Sequence, residues 1–265
     1  MIVKHIEIEG CNGRKITLDY RFKESSKPLI PVIYVHGFKG FKDWGASNLI
    51  ADDFANKGVL FLKFNFSHNG VNAQNLLDFI DLEAFGSNNY QIELHELGLV
   101  IDWLAKLELN IQFDKLTVIG HSRGGGITLL RSAQDSRIFK AITWASVCDF
   151  ENRFPKDVSA WKNLGVHYIL NGRTKQIMPL YFQFYENFLR HKVELNIPMQ
   201  CKKIKQEVLV IHGSEDASVG MQDAHKISSY IKNSSVVIVD GAGHTFGAVH
   251  PYIECSLTDH LNQMV

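Results

Sequence analysis

Apolar residues along the chain fall into two kinds of run. Two alternating segments, Ile2–Glu9 and Lys15–Phe22, come first and are joined across Asn12-Gly13, which predicts an antiparallel hairpin. Then come short, almost unbroken apolar runs: "PLIPVIYVHG", Val59–Phe66, Lys115–Gly120, Phe139–Val147, Glu207–Gly213 and Ser235–Gly241. A strand buried on both faces, as in a parallel sheet, has this composition. Helical spacing fills the intervals. Leu94, Leu97, Ile101 and Leu104 step by three and four after an N-cap at Asn88 or Asn89. Ala224, Ile227 and Ile231 mark a second helix, and Val249, Ile253, Leu257 and Leu261 a last one. Strand then helix, repeated, predicts an α/β fold: a doubly wound, mostly parallel eight-stranded sheet with the antiparallel hairpin at its start.

Two segments break the rhythm. Residues 67–87 show no clear period, and Cys148 to Gln206 separates two buried strands by far more than a normal connection. The longer segment contains its own helical stretch, Met178–Lys192. It predicts an inserted cap, residues 148–206, on a core made of 1–147 and 207–265. Insertions at the carboxyl edge of a parallel sheet lie where ligands bind.

Charge and cysteines narrow the partners. Lysine plus arginine and aspartate plus glutamate both number 28, with no long run of either sign. Neither nucleic acid nor an anionic membrane is expected as a partner. The four cysteines (Cys11, Cys148, Cys201, Cys255) lack the spacing of a metal site. The first fifteen residues alternate charge and apolarity instead of forming an apolar leader core, and no window approaches a membrane span. A reduced, soluble, cytoplasmic protein is the expectation, with no cofactor and no metal.

The chemistry concentrates after the third buried run, where Gly120-His121-Ser122-Arg123-Gly124 fits G-x-S-x-G. A serine on a tight strand-to-helix turn needs small neighbours two residues either side, because a side chain there meets backbone. Gly125 and Gly126 are expected to let the new helix lie close on the sheet. A serine hydroxyl needs a base, and the base a partner that fixes its tautomer. Asp216 follows the run Glu207–Gly213 and His244 follows Ser235–Gly241, so all three reach one sheet edge in the order nucleophile, acid, base. Glu215, Asp149 and His250 are the rivals; His121 adjoins the serine but is expected to point away from the chemistry. The oxyanion would be met by the backbone N–H groups of Arg123, at the start of a helix, and of Phe38, in the loop "HGFKGFKDWG".

This constellation resembles the α/β-hydrolase superfamily from about Ile30 onward, outside the insertion. "VHGFKG", "GHSRGG", "VIHGSED" and "GAGHTFG" are similar to motifs of bacterial cinnamoyl and feruloyl esterase-like enzymes. The resemblance implies Ser122, Asp216 and His244 as catalytic residues, Phe38 and Arg123 as oxyanion donors, and a small-molecule ester as substrate. "FNFSHNGV" departs from the family pattern, which has an Asp-containing segment and a Gly-His-Gly turn at that place. The elbow serine argues against dienelactone hydrolases, which carry cysteine. Within the cap, Trp161, Tyr181, Phe184 and Tyr185 are candidates for a slot holding a small or aromatic acid, with packing of the insertion on the body as the plainer alternative. A peptidase, a C–C hydrolase and a non-catalytic binding protein share enough of these features to stand as other readings.

Overall fold

In the computed structural model, which describes residues 1–72, 75 and 78–246, ten strands alternate with eight α-helices. The strands are β1 (Ile2–Glu9), β2 (Lys15–Phe22), β3 (Ile30–Val35), β4 (Val59–Asn65), β5 (Thr117–His121), β6 (Lys140–Trp144), β7 (Val166–Leu170), β8 (Ile177–Tyr181), β9 (Glu207–Gly213) and β10 (Ser234–Val239). The helices are α1 (Ser47–Asn56), α2 (Leu82–Ser87), α3 (Tyr90–Leu104), α4 (Arg123–Gln134), α5 (Val158–Leu164), α6 (Gln183–Arg190), α7 (Ile197–Cys201) and α8 (Gln222–Tyr230). The C-terminal helix expected at Val249–Leu261, with His250 and Cys255, lies outside the described residues. Among the described residues no helix is long and apolar enough to cross a membrane.

Eight strands form one sheet in the order β1-β2-β4-β3-β5-β6-β9-β10. β1 and β2 are antiparallel to their neighbours, and the rest run parallel. Alternate residues of each central strand feed opposite cores. Val32 and Tyr34 join Phe54, Ile119 and Ile142 on one face, while Ile33 and Val35 join Leu97, Val118 and Leu129 on the other. Both faces being covered explains why these runs read as continuously apolar. The short parallel strands therefore release their connecting loops at a single edge.

The predicted helix over Met178–Lys192 is corrected. Its first part is strand β8, paired antiparallel with β7, and only Gln183–Arg190 is helical. Pro179 has no N–H to give and disfavours the helical conformation at Met178 before it. A two-stranded ribbon tolerates such a residue. The segment between β6 and β9 also divides: α7 packs on α4 and α8 of the body, with Ile197 and Cys201 fully buried in the main core.

Candidate active site

Ser122 sits between β5 and α4 with φ 55° and ψ −118°, a positive-φ conformation that a serine adopts only under constraint. The glycines around it make that turn possible. A Cβ on Gly120 would collide with the Thr128 hydroxyl and the Gly124 carbonyl, and one on Gly124 would come within 2.5 Å of the Val35 carbonyl oxygen. Gly125 faces Ser146, just past β6. Gly126 instead faces Ile197 and Phe150, so its smallness serves the long connection and not the sheet.

The structure brings Ser122, His244 and Asp216 together. Ser122 Oγ is 3.0 Å from His244 Nε2, and His244 Nδ1 is 2.8 Å from Asp216 Oδ2. Asp216 Oδ1 accepts the N–H groups of Ser218 and Val219, both at 2.9 Å. Burial pushes this carboxyl up, but hydrogen bonds from His212, His244 and the Val219 N–H outweigh it and hold the group well below the ordinary carboxylate range. Among the rivals, Glu215 is exposed, and Asp149 accepts the Asn152 N–H at 2.9 Å.

The loop after β3 reaches the same point. A Cβ on Gly37 would lie 2.9 Å from Ser122 Cβ, so the backbone carrying Phe38 passes directly beside the serine. His36 is buried beneath this loop, with Nδ1 donating to the Gly37 carbonyl at 2.9 Å. Arg123 is the first residue of α4, where a helix leaves its N–H without an intrahelical acceptor. "FNFSHNGV", the departure from the family pattern, supports this loop: Asn65 Oδ1 accepts the Lys42 N–H at 2.7 Å, and Asn69 Nδ2 reaches the Gly40 carbonyl and Asn65 Oδ1.

Two further histidines adjoin the site: His121, which was expected to point away, and His212, which the sequence reading did not weigh. His121 does not leave it: Nε2 lies 2.9 Å from the His244 carbonyl oxygen, and the two rings are 4.9 Å apart. Burial, with the neighbouring His244, lowers the His121 pKa to about 4. His212 is fully buried on β9 and touches Asp216 from below. A histidine inside the apolar run "EVLVIHG", four residues before the acid, is the signal that could have found it.

Ser122 opens onto a cavity of about 670 Å³ lined by Phe38, Tyr90, Phe150, Phe154 and Phe184 among others. Of the four expected cap aromatics, only Phe184 lines it. Trp161 is buried instead with its Nε1 donating to the Leu180 carbonyl at 2.8 Å. Tyr185 packs on Phe154 and Trp161, and Tyr181 Oη donates to Glu83 at 2.5 Å. Trp161 and Tyr185 thus pack within residues 148–206, and Tyr181 ties that segment to α2. The Arg123 side chain also faces the cavity, with its guanidinium 3.9 Å from the Phe38 ring centroid and 3.2 Å from buried Glu93. Among the described residues no group of three or more His, Cys, Asp or Glu is arranged to hold a metal ion.

The sequence model of the prolyl oligopeptidase family matches residues 82–254, more than half of the chain. The chain belongs to the prolyl oligopeptidase family. As a member of that family it is a hydrolase of the α/β-hydrolase superfamily. A comparison with curated proteins returned no match. Among solved structures, this prolyl oligopeptidase family chain is similar to Est1E from Butyrivibrio proteoclasticus with ferulic acid bound, at 17% identity and TM-score 0.73 over 98% of each chain. It is similar also to the esterase domain of a Rhodothermus marinus protein, at 18% identity and TM-score 0.67 over 98% of this chain and 96% of that one. The α/β hydrolase GrgF from Penicillium sp. sh18 matches at 15% identity and TM-score 0.70, over 100% of this chain and 98% of the other. At these identities the likeness is one of fold.

Proposed function

We propose that the chain is a serine hydrolase that cleaves carboxylic esters of small or aromatic acids through an acyl-enzyme on Ser122. The observation that carries this reading is the continuous relay of Ser122 Oγ, His244 and Asp216, at 3.0 and 2.8 Å, beside an aromatic cavity. His244 Nε2 accepts the serine proton as Oγ attacks the ester carbonyl, and Asp216 steadies the imidazolium that forms. The N–H groups of Phe38 and Arg123 meet the negative oxygen, each worth about 3 kcal/mol to such a transition state. His244 then protonates the departing alcohol. Water, deprotonated by the same imidazole, attacks the acyl carbonyl and releases the acid and Ser122.

Residues 148–206 serve in this reading as a cap whose inner face, through Phe150, Phe154 and Phe184, sets the shape of the acyl group admitted. The similarity to Est1E with ferulic acid bound supports an aromatic acid. A peptidase is the second reading, favoured by the family match itself. Among its described lining residues, however, the cavity holds no Asp or Glu to anchor a peptide amine. Nitrophenyl acetate hydrolysis tests the proposal: Ser122→Ala should lose at least about a thousandfold in kcat. Turnover at the parent rate in that variant sinks it.

A further inference from the structure

Four cations, Lys39, Arg123, Arg153 and Arg173, line the cavity beside Ser122, and its described lining includes no carboxylate. Arg153 is answered by Asp223 at 2.6 Å and Arg123 by Glu93 at 3.2 Å. Lys39 has no carboxylate partner among the described residues. Its Nζ donates to the Leu170 carbonyl at 3.3 Å and lies 5.7 Å from the centroid of the Phe38 ring that also carries the Arg123 guanidinium. Burial, and then the Arg123 charge, pull the Lys39 ammonium below its ordinary pKa. Two cations thus share one ring, Arg123 with Glu93 on one side and Lys39 without a carboxylate partner among the described residues, and their joint field favours an anion at the cavity wall.

The backbone singles out Lys39 as well. Gly37 to Gly40 form a tight turn closed by the Gly40 N–H on the Gly37 carbonyl at 3.0 Å. Lys39 occupies the third position with φ 57°, where glycine is the residue that sits without strain. A lysine held there against about 1 kcal/mol of strain calls for a task its side chain performs.

We propose that the substrate carries a carboxylate in addition to its scissile ester, and that Lys39 Nζ and the Arg123 guanidinium hold it. This rests on the hydrolase reading above and adds the substrate class. A guanidinium suits a planar carboxylate, and the aromatic rings of Phe38, Tyr90 and Phe184 around Arg123 accept the apolar body that joins the two ends. No bond beyond the ester is made or broken at this subsite.

The test compares kcat/KM for the nitrophenyl monoester of glutaric acid with that for nitrophenyl 5-methylhexanoate, which has the same shape without the charge. The charged ester should be preferred by about tenfold or more, and the preference should weaken as salt is added. Lys39→Gln should cut the ratio by about tenfold, while Lys39→Arg should keep most of it. A ratio near one that ignores both Lys39→Gln and salt, in protein that still turns over the uncharged ester, overturns the carboxylate site and leaves the hydrolase reading intact. If neither ester turns over but a fluorophosphonate still labels Ser122, protection from labelling by glutarate should exceed that by 5-methylhexanoate; equal protection overturns the proposal. Absence of both turnover and labelling removes the hydrolase reading and this proposal with it.

Discussion

His212 Nε2 lies 3.3 Å from Asp216 Oδ2, the same oxygen that takes His244 Nδ1 at 2.8 Å. The His212 N–H is shared with the Val219 carbonyl at 2.8 Å, so the ring ties the acid to the loop that presents it. His212→Leu should lower kcat about tenfold with little change in KM, because a shared hydrogen bond to a charged group is worth about 1.5 kcal/mol. The acid also becomes less stabilised in its ionised form. Asp216 contributes stability that is present above its ordinary pKa of 3.8 and is lost as pH falls through its lower folded value. Urea unfolding of His212→Leu should therefore show a smaller further loss of stability than the parent as pH falls below 3, where the folded carboxyl titrates.

Arg123 and Glu93 form a pair in which Glu93 is 3% exposed; its Oε1 accepts from Arg123 and Asn88, and its Oε2 has no hydrogen-bond partner among the described residues. Removing one partner leaves a buried charge alone. Arg123→Met should cost about 3 kcal/mol in urea unfolding, and Glu93→Gln added to it should restore more than half of that. Additive losses in the double variant would remove the pair from the account.

Gly124 cannot accept a Cβ without displacing the Val35 and His36 carbonyls. Gly124→Ala should destabilise the protein by about 3 kcal/mol or more and disturb the labelling of Ser122. At Gly172 the space is open and the backbone ordinary, so Gly172→Ala should shift stability by less than about 0.5 kcal/mol.

His36 and His121 both have pKa values lowered from 6.5 to about 4, burial being the main cause. A depressed folded value means that the unfolded chain binds the extra proton between pH 6.5 and about 4. The stability from each neutral ring is thus full above pH 6.5 and declines as pH falls through that window. Glu93 and Glu96, raised chiefly by burial, act with the opposite sign, so the comparison must be with a variant. His121→Asn should flatten the rise of stability with pH over 4–6.5 by about 1.4 kcal/mol per pH unit, read from urea midpoints at several pH values.

Phe184 lines the cavity while Tyr181 points to Glu83 at the surface. Phe184→Ala should lower kcat/KM for a cinnamoyl ester by about tenfold relative to an acetyl ester, since an aromatic contact and its buried area are lost. Tyr181→Phe should leave that ratio unchanged.

How far the sequence reached depended on whether a constraint was local. Ser122 was legible because an elbow forces glycine at positions 120 and 124, and Asp216 and His244 because parallel strands deliver their ends to one edge. His121 was misjudged. Its side chain meets the His244 loop across more than a hundred residues, a contact that no local pattern encodes. The gathering of Lys39, Arg123 and Arg173 around one cavity is tertiary in the same way. Met178–Tyr181 read as helix because its apolar spacing fits both periods; Pro179 was the local signal against it, and pairing with Val166–Leu170 makes it a strand. The aromatics of residues 148–206 left two readings open for a related reason: composition counts rings without saying which way they face, and of the four only Phe184 lines the cavity.

The central claim is that Ser122 is the residue that becomes acylated. Protein treated with a fluorophosphonate and digested should yield a single modified peptide, with the adduct on Ser122, and both Ser122→Ala and His244→Ala should suppress it. An adduct on another residue, or labelling undiminished in Ser122→Ala, would contradict the account.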